Sequence, residues 1–135
     1  MELSICRFEK LNGTQFNLTF AGAKRPVYLM QRGAFHTLKP TKRAVGGCAS
    51  KKLDFMQTEI LLNKGDLLYL LTDGFQDQFG GPKGKKFMIK KMREYVLSIS
   101  NCPMQEQHQK IRDTFMSWKG EAEQVDDVCV IGVKI

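Results

Sequence analysis

Two apolar runs that abut aspartates constrain this chain more than any other feature. Leu67-Leu68-Tyr69-Leu70-Leu71 runs into Thr72-Asp73-Gly74, and Asp126-Asp127 opens Val128-Cys129-Val130-Ile131-Gly132-Val133. Unbroken apolar runs of this kind read as strands buried on both faces. Each therefore puts an acidic residue where a loop meets a rigid sheet. If the two strands are antiparallel neighbours, the end of one lies beside the start of the other, and Asp73 and Asp126 converge at one edge of the core. Carboxylates within about 4–6 Å of each other repel unless a proton or cation lies between them. Mg²⁺ and Mn²⁺ are hard cations that take oxygen ligands and keep several waters. Such a metal lowers the pKa of a bound water and clamps phosphoryl oxygens. Spacing alone leaves plainer readings open. Asp-Gly is a common hairpin turn, and Asp-Asp ahead of a strand also suits a solvated loop.

The rest of the chain supplies the sheet and its cover. Leu3–Phe8 alternates, Leu11-Asn12-Gly13 turns, and Phe16, Leu18 and Phe20 share one face of a second strand. Ala21-Gly22-Ala23 reads as small and flexible. A third run covers Val27–Met30 up to Arg32-Gly33, and a short fourth covers Phe35–Leu38. The short connections predict a meander of antiparallel strands. Residues 41–53 read as a loop and Phe55–Leu62 as the next strand. Beyond Gly84 the period changes. Met88, Met92, Tyr95, Val96 and Ile99 form one helical stripe, Asn101-Cys102-Pro103 breaks it, and His108, Ile111, Phe115 and Trp118 form a second. Val128–Val133 reads as a buried closing strand set beside an earlier one. Strands followed by helices indicate an α+β fold.

With 135 residues the chain is long enough for one domain with a core, residues 1–135. No apolar run approaches the roughly 20 residues that span a bilayer, and ELSICRFEK after Met1 lacks the apolar centre of a secretory signal. The expected location is cytoplasmic, with no membrane segment in this chain. An anchor upstream in a longer parent stays open.

The net charge of +7 favours acidic partners, nucleic acid or phosphorylated substrates. Its cations are spread, as on a solvated surface, and no helix-turn-helix, zinc finger or aromatic ribonucleoprotein motif supports a nucleic-acid partner. Cys6, Cys48, Cys102 and Cys129 form no CxxC pair, which argues against zinc and suits a reducing compartment. Cys6 and Cys129 fall in strand patterns and read as buried thiols. His36 and His108 read as structural, as do Phe115 and Trp118. Gly80–Lys86 reads as an exposed loop entering a helix, with a cationic flap over phosphate as the sharper alternative. It lacks the spacing of a phosphate-binding P-loop.

GDLLYLLTDGFQDQFGGPKGKKF together with EQVDDVCVIGVKI resembles the C-terminal part of the metal-dependent serine/threonine protein phosphatases (PPM, or protein phosphatase 2C-like), in their bacterial SpoIIE branch. LTFAGAKRPVYLMQRG resembles that branch's AGA-x-x-P strand pair, and the match runs in order through nearly all the chain. The resemblance implies a four-layer α-β-β-α sandwich of antiparallel sheets. It implies a two-metal centre of Mn²⁺ or Mg²⁺, with an activated water attacking phosphoserine or phosphothreonine in line. Asp73 matches the family's DG aspartate and Asp126 the first aspartate of its closing motif. Both are metal ligands in the family, and Asp127 is support only. The implied substrates are phosphorylated regulators in signal transduction, such as anti-sigma factor antagonists.

One departure matters. The family's first metal motif, with its bridging aspartate, has no counterpart here, so an N-terminally truncated domain is expected. Its metal site would be incomplete and its isolated activity poor. Missing strands would leave sheet edges open, and open edges favour a homo-oligomer. A non-catalytic partner-binding domain on the same scaffold is the alternative from another class.

Overall fold

The computed structural model describes residues 1–46 and 54–135. Its strands follow the two-residue period of the sequence. β1 (Leu3–Lys10) and β2 (Gln15–Ala23) pair antiparallel, with Phe8 opposite Leu18. Asn12 ties the turn between them: its Oδ1 accepts from the backbone N–H of Thr14 and of Gln15, both at 2.9 Å. β3 (Val27–Gln31) and β4 (Ala34–Leu38) form a second hairpin. Its turn residues Arg32 and Gly33 both have positive φ, 52° and 74°, as a tight hairpin turn matched to strand twist requires. β5 (Gln57–Asn63) and β6 (Leu67–Leu71) follow, and β9 (Val130–Lys134) closes the chain.

The strands sort into two sheets, ordered β1-β2-β5 and β4-β3-β6-β9. The expected meander is thus only half right. After β2 the chain leaves its sheet, β3 founds another, and β2 takes β5 as its second neighbour, with Leu18 opposite Ile60. Hydrophobic spacing marks which residues face a core, but not which sheet a strand joins. β2 also extends past Phe20 through Ala21-Gly22-Ala23.

The chain divides into two compact units, residues 1–70 with 133–135, and residues 71–132. In the first, Leu18, Phe20 and Leu62 of one sheet pack against Val27, Leu29, Leu38 and Leu68 of the other. Each such side chain contributes about 1.5–3 kcal/mol by leaving water. β3 is buried at four successive positions, Val27 to Met30, and β6 at Leu67, Leu68 and Tyr69. Burial pushes the Tyr69 phenol up to about 12 and also raises the Cys6 thiol, which is half-buried.

β9 corrects an expectation. It runs beside β6, as anticipated, but most of it is exposed, with Ile131 at 51%. It begins at Val130, leaving Cys129 outside the strand with an exposed thiol. The physical reason is its place at the end of the strand order, with a neighbour on one side only among the described residues. Of the loop read over residues 41–53, positions 47–53, and with them Cys48, lie outside the described residues. Thr41 bonds Gly22, Lys24 and Met56 through its N–H, carbonyl and hydroxyl.

The second unit holds α1 (Gly74–Asp77), a small hairpin of β7 (Phe79–Gly80) and β8 (Lys85–Lys86), α2 (Ile89–Ile99) and α3 (Met104–Lys119). Gly80–Lys86, read as an exposed loop, is therefore largely a hairpin. Met92, Val96 and Ile99 are the buried stripe of α2, while Met88 precedes the helix and is exposed. On α3 the stripe is Gln107, Ile111 and Phe115, and His108 faces outward. Sequence reading missed Gln107 because glutamine is rarely core. Its Nε2 donates to the carbonyls of Ser100 (3.3 Å) and Cys102 (2.8 Å), satisfying the α2–α3 connection. Phe75 meets Phe87 and Phe115, each at 5.1 Å between ring centres, and Phe87 meets Trp118 edge-on at 5.2 Å. Among the described residues no helix is long and apolar enough to cross a membrane.

Candidate metal centre

β6 ends at Leu71, and the next three residues carry the site. Thr72 joins this end to the segment before β9. Its N–H donates to the Cys129 carbonyl at 3.0 Å. Its hydroxyl donates to the Asp127 carbonyl at 2.8 Å and accepts from the Cys129 N–H at 2.9 Å. At the opposite ends of the two strands the Ile135 N–H donates to Asp66 and the Gly65 N–H to Ile135, at 2.9 and 2.7 Å. The strands therefore run antiparallel, and the end of β6 lies beside the approach to β9.

Asp73 and Gly74 do not make a hairpin turn. Asp73 has φ −74° and ψ −17° and precedes α1, with its carbonyl accepting from Asp77 N–H at 2.9 Å. A type I′ turn needs positive φ at both central residues, so that plainer reading is excluded. Gly74 is required for another reason. A Cβ built there would fall on the backbone carbonyl of Asp127. The missing side chain is what lets the two acidic segments approach this closely.

Asp126 is exposed, in keeping with a solvated loop, but its carboxylate is oriented. Its Oδ1 accepts from the Asp127 N–H at 2.7 Å, and the Gln124 side-chain amide donates to its carbonyl at 2.9 Å. Upstream, the buried Gln78 donates through Nε2 to Glu123 O (2.9 Å) and Phe79 O (3.0 Å). Residues 123 to 129 are thus pinned at Glu123, Asp127 and Cys129. The functional supports missed in the sequence are Thr72 and Gln78. A hydroxyl interrupting an apolar run just before Asp-Gly was the signal for the first, and Gln78 gave none.

The structure brings the segments of Asp73 and Asp126 together within residues 71–132. It supplies hard oxygen donors of the type a divalent cation takes. Among the described residues no group of three or more His, Cys, Asp or Glu forms a fuller set. His36 and His108 lie elsewhere, on β4 and on the outer face of α3.

Comparison with known proteins agrees with this architecture. The profile of the family described as Stage II sporulation protein E (SpoIIE) matches residues 5–135. The SiaA-PP2C domain of Pseudomonas aeruginosa superposes with a TM-score of 0.79 and 32% identity, over 88% of this chain and 46% of that one. The Mn-presoaked phosphatase domain of the cell fate determinant SpoIIE from Bacillus subtilis superposes at 0.63 with 18% identity, over 99% and 56%. The same domain in a crystal form without domain swapping gives 0.58 and 18%, over 98% and 54%. The chain therefore spans about half the length of the structures it matches. No curated protein sequence matches it. The α+β fold of antiparallel sheets is that of phosphatase 2C-like domains.

Proposed function

Because the chain belongs to the SpoIIE family, we propose that it is part of a bacterial metal-dependent phosphoserine/phosphothreonine protein phosphatase acting in signal transduction. The observation that carries this reading is the junction of Thr72, Gly74 and Asp127, which draws the aspartate after β6 toward the aspartates before β9. In the reading, Asp73 and Asp126 are the carboxylates that hold Mn²⁺ or Mg²⁺. Bound metal would supply a water acidic enough to ionise near neutrality and positive charge for the phosphoryl oxygens. The chain's own part is positional. The Thr72 hydroxyl fixes the Asp127 backbone, the Asp127 N–H orients the Asp126 carboxylate, and the bare Cα of Gly74 leaves room for the Asp127 carbonyl. The proposed substrates are phosphorylated protein regulators, with an anti-sigma factor antagonist as one example, in the cytoplasm.

Two carboxylates are fewer ligands than Mg²⁺ or Mn²⁺ takes. The chain by itself is expected to bind Mn²⁺ weakly and to hydrolyse phosphopeptides slowly. The test is a Mn²⁺ titration of the chain by water-proton relaxation, beside Asp73→Asn and Asp126→Asn, with circular dichroism to confirm folding. Weak binding that either substitution abolishes supports the reading. Binding that survives both, or none at any concentration, favours a non-catalytic partner-binding scaffold.

A further inference from the structure

Although the cations are spread through the sequence, one stretch is dense. Between residues 83 and 93, six of eleven side chains are cationic and none is acidic. They fall on one hairpin and the start of the helix that follows it. Lys83 lies in the turn of the β7–β8 hairpin, Lys85 and Lys86 form β8, and Lys90, Lys91 and Arg93 lie in the first turns of α2. All six are exposed. Lys86 is held by Asp77 at 3.3 Å, while Lys83, Lys85 and Lys90 have no acidic partner among the described residues.

A groove of about 700 Å³ is lined by Pro82, Phe87, Tyr95 and Trp118 and, of these cations, by Lys91; Lys83 and Lys90 are next in sequence to the lining residues Pro82 and Lys91. Lys91 Nζ rests 3.7 Å from the centre of the Trp118 ring and 5.2 Å from that of Phe87. The chain thus uses its own ammonium to cover an aromatic surface, and an incoming carboxylate would compete for that ammonium. Glu94 and Asp113 also line the groove. They would repel a continuous polyphosphate laid through it, so the charge pattern disfavours nucleic acid. A peptide suits it better, since carboxylates can sit on the lysines while an uncharged side chain enters the aromatic groove.

We propose that this face of residues 71–132 docks an acidic, extended segment of a partner protein, with carboxylates on Lys83, Lys85 and Lys90 and an apolar side chain against Trp118. Neither Asp73 nor Asp126 takes part, so this reading and the metal reading fail separately.

Trp118 is the chain's single tryptophan and reports on the groove directly. The full chain is titrated with a short labelled peptide of Asp and Glu flanking one Leu. Controls are the same peptide with Lys in place of the acids and a single-stranded oligonucleotide of equal charge. The expected result is a saturable change in Trp118 emission, parallel to the rise in peptide anisotropy and given by the acidic peptide alone. A variant carrying Lys83→Glu, Lys85→Glu and Lys90→Glu should bind about tenfold or more weakly, since like charges then face each other. These positions are exposed, and circular dichroism should not change. An anisotropy rise without an emission change would overturn the proposal, as would no binding or full affinity in the reversed variant. So would equal or tighter binding of the oligonucleotide, or self-association of the chain that the same reversal abolishes.

Discussion

In residues 1–70 with 133–135 the core is nearly all aliphatic, with Leu18, Leu29, Leu62 and Leu68 filling the space between two sheets. In residues 71–132 three phenylalanines, Phe75, Phe87 and Phe115, make ring contacts beside the aliphatic Met92, Val96, Ile99 and Ile111, and the side chains of Gln78 and Gln107 are buried too. The first core is built by repetition: alternate residues on each strand face inward, and any of several aliphatic side chains would serve. The second is built by particular contacts. Its glutamines donate to backbone carbonyls of connecting segments, and two glycines, Gly74 and Gly80, admit the backbone carbonyls of Asp127 and Trp118. The difference teaches where chemistry can be placed. Repetitive packing makes a rigid core, whereas specific contacts such as those of Thr72 and Gly74 fix the course of a particular loop.

The largest expected effect sharpens this contrast. Phe75→Ala removes the ring at the centre of the aromatic cluster and should cost about 3–5 kcal/mol in denaturant unfolding, while Leu29→Ala should cost about 2–5 kcal/mol because its aliphatic neighbours can partly collapse. Equal losses with equal cavities would erase the distinction between the cores. Next, Gly74→Ala forces a methyl onto the Asp127 carbonyl and should cost about 1–3 kcal/mol or more, with Mn²⁺ binding reduced. In the first unit a Cβ at Gly13 meets nothing within 4 Å, so Gly13→Ala should lie within about ±0.5 kcal/mol. Paired melts would decide it, and a harmless Gly74→Ala would break the argument for close approach.

Much of the first unit was legible in the sequence because a strand's period is two and apolar residues betray it. Phe16, Leu18 and Phe20 were read correctly, as were Val27–Met30 and Leu67–Leu71. Sheet membership was not legible, because β2 pairing with β5 instead of β3 depends on contacts far apart in sequence. In the second unit both long helices were foreseen, but the stripe of α3 was read through His108 where Gln107 is buried. Polar burial is invisible to a hydrophobic pattern. The candidate site divides the same way. Asp73 and Asp126 stand out by lying at the ends of apolar runs, whereas α1 and the Thr72 hydroxyl bonds appear only once the chain is folded.

Thr72 offers a smaller and cleaner test. Thr72→Val keeps the shape and removes the hydroxyl's bonds to Asp127 and Cys129, at about 0.5–1.5 kcal/mol each, whereas Thr72→Ser keeps them and should stay close to the parent. Loss of Mn²⁺ affinity in the valine variant alone would show that the hydroxyl positions the site and does more than stabilise the unit. The smallest effect belongs to the surface of α3. Glu106 lies 2.7 Å from Lys110, whose hydrogen bond and charge hold the carboxyl below its ordinary range. A carboxyl lowered on folding stabilises the fold above its unfolded pKa, and that contribution is lost as pH falls through the folded value. Because the pair is exposed, Glu106→Gln should lower the melting temperature slightly at neutral pH and not at all in acid. A difference that grows in acid would reverse the sign.

The convergence of two aspartates distant in sequence is measured most directly by diffraction from crystals of this chain soaked in Mn²⁺, using the metal's anomalous signal. The expected result is one Mn²⁺ peak at bonding distance from the carboxylates of both Asp73 and Asp126. Carboxylates that diverge, with manganese bound elsewhere or to neither, would contradict the account.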